Sequence, residues 1–121
     1  MRFLKPLLLL VFGAALSGPV LAEPPTSRGG HFVDSNGATL YTYDKDTDGK
    51  SVCRDNCAKN WPPALAAQDD VASGNFSVVE SHDGKRQWAY KGKPLYLFIK
   101  DTKPGDTSGD GVGGVWHLAK P

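Results

Sequence analysis

The stretches LYTYDKDT (Leu40–Thr47) and LYLFIKDT (Leu95–Thr102) are nearly one sequence written twice, 55 positions apart. Five of the eight positions are identical, and Tyr43 is answered by Phe98. Outside the block, Gly37 meets Gly92 and Trp61 meets Trp116 at the same offset. The repeated unit is therefore a turn glycine, an aromatic strand, an acidic loop and a tryptophan. One copy is too small to bury its aromatic face, so the two copies are expected to share a core. The expected fold class is mainly β: a small antiparallel β domain of two pseudo-repeated hairpin/loop units with one short helix. The pseudo-repeats cover about residues 31–63 and 86–121.

Working outward, HFVDSNGATLYTY (His31–Tyr43) reads as a β-hairpin, because Asn36-Gly37 supplies the positive φ angles of a tight turn. A period of two on its second strand places Tyr41 and Tyr43 on one face, and Leu40 and Thr42 on the other. NFSVVESHDGKRQWAYKGKPLYLFI (Asn75–Ile99) reads as a three-stranded meander that turns at Asp83-Gly84 and Lys91-Gly92. Its last strand, Leu95–Ile99, is apolar on both faces, the pattern of a covered, central strand. GVWHLA (Gly114–Ala119) supplies a closing strand, and CAKNWPPAL (Cys57–Leu65) holds the one plausible helix, stopped by Pro62-Pro63.

The first 22 residues have the layout of a secretory signal peptide. Arg2 and Lys5 are followed by the apolar run LLLLVFGAAL, a Gly18-Pro19 break and small residues at Val20 and Ala22. The run of about ten apolar residues is half of the roughly 20 that a membrane-spanning helix needs. Cleavage before Glu23 leaves 99 residues and no integral membrane segment, with EPPTSRGG (23–30) as a flexible lead-in and 31–121 as a single domain. The leader takes two of the 14 basic residues and none of the 13 acidic ones, so the remainder has 12 against 13, a net of −1. Such a balance, without a basic run, gives no electrostatic case for nucleic acid.

The motif Y-x-[FWY]-x-x-D occurs at Tyr41–Asp46 and again at Tyr96–Asp101. Around it lie CRDNCAKNWPP, QWAYKGKPLY and KPGDTSGDGVGGVWHLAKP. In these features the chain resembles the secreted-repeat family of bacterial predicted lipoproteins that is named for this motif. The resemblance covers nearly all of residues 23–121. It implies an exported component of the bacterial envelope, in a family whose function is uncharacterised. Many members carry a lipid-acceptor cysteine, and this chain has none near the cleavage point, which favours a soluble periplasmic or released form.

Cys53 and Cys57 are the only cysteines, and export sends them to an oxidising compartment. Two chemistries fit C-x3-C. One is a structural disulfide at a turn or helix start, which the compartment favours. The other is a thiolate pair that holds a soft ion such as Cu(I), with His82 or His117 as a third ligand. Asp44, Asp46, Asp48, Gly49 and Asp55 fall on positions 1, 3, 5, 6 and 12 of a calcium loop. An aromatic strand precedes them where that loop has a helix, the cysteines lie inside it, and the second copy loses the pattern. GDTSGDGVGGVW (Gly105–Trp116) lacks the lysine and hydroxyl of a phosphate loop, and its glycines suit a long loop folded closely over the core. The aromatics Tyr41, Tyr43, Trp61, Trp88, Tyr90, Tyr96, Phe98 and Trp116 either form a binding platform or fill the core. At this chain length the core is the expectation. Asp46 and Asp101 join Tyr41, Tyr43, Trp61, Tyr96, Phe98 and Trp116 as the motif residues with a structural role.

No serine–histidine–acid set is present, so no catalytic residue is proposed. The expectation is a non-catalytic binding or structural module without a cofactor. The alternative is a periplasmic copper- or zinc-handling or thiol-redox protein that uses Cys53 and Cys57. An unpaired sheet edge offers a place for a second copy.

Overall fold

The computed structural model describes residues 23–121. The signal-peptide reading of residues 1–22 lies outside the described residues. The elements in chain order are β1 (Thr26–Arg28), β2 (His31–Val33), β3 (Tyr41–Tyr43), α1 (Asn56–Asn60), β4 (Phe76–Glu80), β5 (Arg86–Tyr90), β6 (Lys93–Pro94), a 3-10 turn (Val112–Gly114) and β7 (Trp116–Leu118). They form three small antiparallel sheets, ordered β1-β2, β3-β7 and β4-β5-β6.

The two motif segments meet at the centre. The Tyr41 N–H donates to the Tyr96 carbonyl at 2.9 Å, and the Tyr96 N–H donates to the Tyr41 carbonyl at 2.9 Å. Each segment is flanked on its far side by the tryptophan-bearing stretch of the other copy. Ala119 N–H donates to Leu40 O and Ala64 N–H to Leu95 O, both at 2.9 Å. Asp44 N–H bonds Val115 O at 2.8 Å, and Ile99 N–H bonds Asn60 O at 3.0 Å. Every partner in one copy has its counterpart 55 positions away in the other. The halves are thus the same fold, related by an approximate twofold that passes between Tyr41 and Tyr96.

The copies differ where proline intervenes. β3 pairs with β7 through Tyr41↔Leu118, Thr42↔His117 and Tyr43↔Trp116. At the related place Leu97 N–H donates to Pro62 O at 2.8 Å, but Pro62 has no N–H to return. Only the bridge Pro63↔Tyr96 remains there. The expected strand Leu95–Ile99 is therefore covered only at Leu95 and Tyr96; it lacks a regular ladder, Leu97 and Phe98 are half-buried and Ile99 is exposed. The third meander strand is cut to Lys93–Pro94.

Two further sequence expectations need correction. The turn after His31–Val33 forms as read: the Asp34 side chain accepts the Asn36 and Ala38 N–H groups at 2.9 Å, and Gly37 sits at φ 84°. Val33 opposes Thr39 across it, but the chain then leaves β2, and Tyr41–Tyr43 pairs with β7 instead. Burial of both tyrosine rings against the other copy wins over extending the hairpin. Residues 23–30, read as a flexible lead-in, contain β1, which pairs with β2 from Thr26↔Val33 to Arg28↔His31. The paired glycines Gly29 and Gly30, at φ 66° and 91°, make the tight turn and so bring this segment onto the sheet. The helix begins at Asn56, one residue before the stretch expected for it, and Trp61 N–H closes it onto Cys57 O at 2.8 Å just before Pro62-Pro63.

Alternation along the central segments divides the interior in two. Leu40 and Leu95 face a cluster with Phe32, Ala64, Trp88 and Ala119, against which Phe76 and Tyr90 pack. Tyr41 and Tyr96 face a second cluster with Cys53, Trp61 and Trp116, flanked by Tyr43 and Phe98. The second cluster contains the repeated motif.

Candidate functional site

The motif residues lock one copy to the other. The Tyr41 hydroxyl donates to Asp101 Oδ2 at 2.6 Å, and the Tyr96 hydroxyl donates to Asp46 Oδ2 at 2.6 Å. Each tyrosine is thus bonded to the aspartate of the opposite copy. The second carboxylate oxygen holds its own loop: Val52 N–H donates to Asp46 Oδ1 at 2.8 Å, and Ser108 N–H to Asp101 Oδ1 at 2.9 Å. A third contact completes each phenol. Gly109 N–H donates to the Tyr41 oxygen at 3.1 Å, and Ser51 Oγ lies 2.6 Å from the Tyr96 oxygen.

Four rings stack in one column in the order Tyr43, Trp116, Trp61, Phe98. Their successive centroids are 4.2, 3.8 and 4.0 Å apart, with interplanar angles of 14°, 3° and 17°. Tyr41 meets Trp61 edge-on at 5.4 Å, and Tyr96 meets Trp116 edge-on at 5.2 Å. Each such contact adds about 0.5–1.5 kcal/mol beyond burial. All eight motif residues singled out in the sequence therefore meet in one centre.

The electrostatics of this centre suit a lock more than a reactive group. Burial pushes the Tyr41 and Tyr96 phenols well above their usual range, and donation to a carboxylate pushes them further. Burial also raises the Asp46 carboxyl, against the lowering effect of the bonds from Tyr96 and Val52. A phenol held neutral donates at neutral pH and is a poor base.

Cys53 and Cys57 are joined, with Cα atoms 5.2 Å apart, and Cys53 is buried against the ring cluster. The bridge uses both sulfurs that a soft ion would need. Of the calcium candidates, Asp46 points inward to Tyr96 and Asp44 bonds His117 Nε2 at 2.7 Å. Asp48 lies beside Gly92, and Asp55 is exposed at the start of α1. Among the described residues, no group of three or more His, Cys, Asp or Glu side chains is placed to hold a metal ion. The glycine-rich loop does fold closely over the core: a Cβ on Gly109 would lie 2.7 Å from the Trp61 ring and 2.9 Å from the Tyr41 ring.

Sequence reasoning did not find the surface recesses. One, of about 350 Å3, lies between the Asn36–Thr39 turn and Leu97–Pro104, with Pro62, Leu97, Phe98 and Ile99 as its apolar wall. Another of similar size lies at the related place in the other half, around Thr42, Lys91, Lys93, His117 and Lys120. The repeat offset was the signal that pairs them, although neither lining is visible before the chain folds.

A family model described as a secreted repeat of unknown function matches residues 25–65 and 77–120, once for each half. The chain belongs to that family. Searches of the curated proteins and of the solved structures return no match. Both matched stretches run from the outer hairpin to the tryptophan-bearing segment, so each holds one structural copy. The family and the intramolecular disulfide fit an exported protein. Among the described residues no helix is long and apolar enough to cross a membrane.

Proposed function

We propose that this is a non-catalytic binding or structural module of the bacterial envelope, periplasmic or released. One observation carries the reading: the motif side chains spend their chemistry on each other, while an apolar recess beside them stays open. Tyr41, Tyr96, Asp46 and Asp101 satisfy one another across the copies, which leaves them no free group for a substrate. Phe98 both walls the recess and stacks on Trp61, so an occupant would touch the end of the ring column. The volume suits a small apolar ligand or a side chain of a partner. Tryptophan fluorescence in a titration with a neutral apolar dye such as Nile red tests this. Saturable quenching that is lost in Ile99→Asp supports the recess, and an unchanged titration in that variant removes it.

A thiol-redox role is the second reading, and the backbone at Asp55 is the observation that favours it. Asp55 sits between the two cysteines at φ 56° and ψ −123°, a region that residues with a Cβ rarely occupy. Opening the bridge frees that residue to relax. Intact mass after alkylation without reductant, together with elemental analysis, decides between the module reading and metal handling. The module reading expects no alkylation and no metal. Free thiols with about one copper or zinc per chain would establish the metal-handling alternative instead. Reduction of a bridge that closes about five residues is expected to cost only about 2 kcal/mol, so the fold should survive it.

A further inference from the structure

The two copies carry the same recess with opposite chemistry. At lining positions related by the repeat, Leu97 is answered by Thr42, Ala38 by Lys93, Pro62 by His117 and Ile99 by Asp44, while Lys120 answers Leu65, which lies outside the first recess. Lys91, next to the turn glycine Gly92, takes the place of Asn36 beside Gly37. One half is an internal control for the other. In the first half the positions related to Lys91, Lys93 and His117 are the uncharged Asn36, Ala38 and Pro62. The charged groups that do line that recess, Asp101 and Lys103, are engaged by Tyr41 and Asp106, so the charges in the second half are not needed to form it.

From this contrast we infer that the recess lined by Thr42, Lys91, Lys93, His117 and Lys120 is a binding site for an oxyanion of two or more negative charges. The recess holds about 350 Å3, room for a small anionic molecule. Its only acidic side chain, Asp44, is engaged by His117 at 2.7 Å. Among the described residues none of the three lysines is in an ion pair, and Lys91 lies over the Tyr90 ring at 5.5 Å. Residues 23–121 carry a net charge of −1, from 12 basic and 13 acidic residues, so this gathering of cations is not the background of a basic protein. Ammonium groups gathered in one cleft repel each other until a counter-charge enters, and a cleft of one sign concentrates that counter-charge. A phosphate-bearing ligand and a polycarboxylate share the required chemistry. The site is separate from the apolar recess, so it stands whether or not that recess binds anything.

The test is a 1H–15N chemical-shift titration of the exported protein at low salt, with inorganic pyrophosphate in one arm and citrate in the other. Saturable shifts confined to residues 42–44, 90–93 and 117–120 are expected, with residues 36–39 and 97–104 silent. The double variant Lys93→Ala/Lys120→Ala should weaken binding by about tenfold or more. Lys50→Ala/Lys59→Ala should leave binding unchanged, and both variants should keep the parent melting temperature. Binding in the pyrophosphate arm alone assigns a phosphate ligand, in the citrate arm alone a polycarboxylate, and in both the shared oxyanion. Silence in both arms overturns the inference. So do shifts spread across every lysine-bearing surface, or equal binding by Lys93→Ala/Lys120→Ala.

Discussion

Trp61 and Trp116 lie face to face, with ring centroids 3.8 Å apart and planes 3° from parallel. They are the same residue of two successive copies, and each carries a ring of the opposite copy on its outer side, Phe98 on Trp61 and Tyr43 on Trp116. The column they centre passes through both halves, so neither half has a complete interior alone. This dependence is what makes the following outcomes specific.

Removing one cross-copy hydroxyl should be felt by the opposite copy. Tyr96→Phe takes the donor away from the partly buried Asp46, and Tyr41→Phe takes it from Asp101. Each is expected to cost about 1–3 kcal/mol in urea denaturation, the range for a buried partner left unpaired. The double variant should depart from the sum of the singles, because Tyr41 and Tyr96 are joined directly through their backbones.

Gly109→Ala should be among the most damaging single methyl additions. The new Cβ would meet Trp61 ring atoms at 2.7 and 2.8 Å and the Tyr41 ring at 2.9 Å, while the neighbouring rings are fixed by stacking. A loss of about 1–3 kcal/mol or more is expected. A melting temperature equal to that of the parent would show that the loop is free to lift off the core.

Asp55→Gly should stabilise. Relief of the backbone at φ 56° and ψ −123° is worth about 1–3 kcal/mol, reduced by the extra freedom that glycine has in the unfolded chain. A net gain of about 1 kcal/mol is expected from thermal denaturation under oxidising conditions. Lys91→Gly offers a comparison at φ 50°, in a turn where Gly92 already supplies the second positive angle. A smaller effect is expected there.

The alkaline limit of the fold should be set in part by two phenols. Tyr41 and Tyr96 have folded-state pKa values above their unfolded value of about 10. The unfolded chain therefore releases these protons first. The stability tied to keeping them neutral is fully present below pH ~10 and is lost as pH rises above it. In a titration followed by phenolate absorbance, two of the four tyrosines should stay silent until the protein unfolds. Ionisation of all four in the folded state would contradict the closed Tyr–Asp pairs.

The residues themselves fixed the duplication, the mainly β class, the turns at Gly37 and Gly92 and the membership of the shared ring cluster. These follow from local spacing: a period of two, positive-φ glycines and an identical offset survive whatever the chain does elsewhere. The bridge between Cys53 and Cys57 was one of two readings that the spacing left open, and the fold decided it. So did the partner of each tyrosine. Tyr41 stands five residues before Asp46, yet it bonds Asp101, because antiparallel contact at the twofold places the other copy's loop over its hydroxyl. The switch of Tyr41–Tyr43 from β2 to β7 and the one-sided ladder at Pro62 likewise came from long-range pairing, whereas the strand of residues 26–28 forms locally, through the Gly29-Gly30 turn onto β2. The contrast between an apolar and a cationic recess was present in the letters all along, but only folding brings Thr42, Lys91, Lys93, His117 and Lys120 to one place. Sequence spacing reports what neighbours along the chain can do. Which distant groups meet is set by the burial of rings that no single copy can cover.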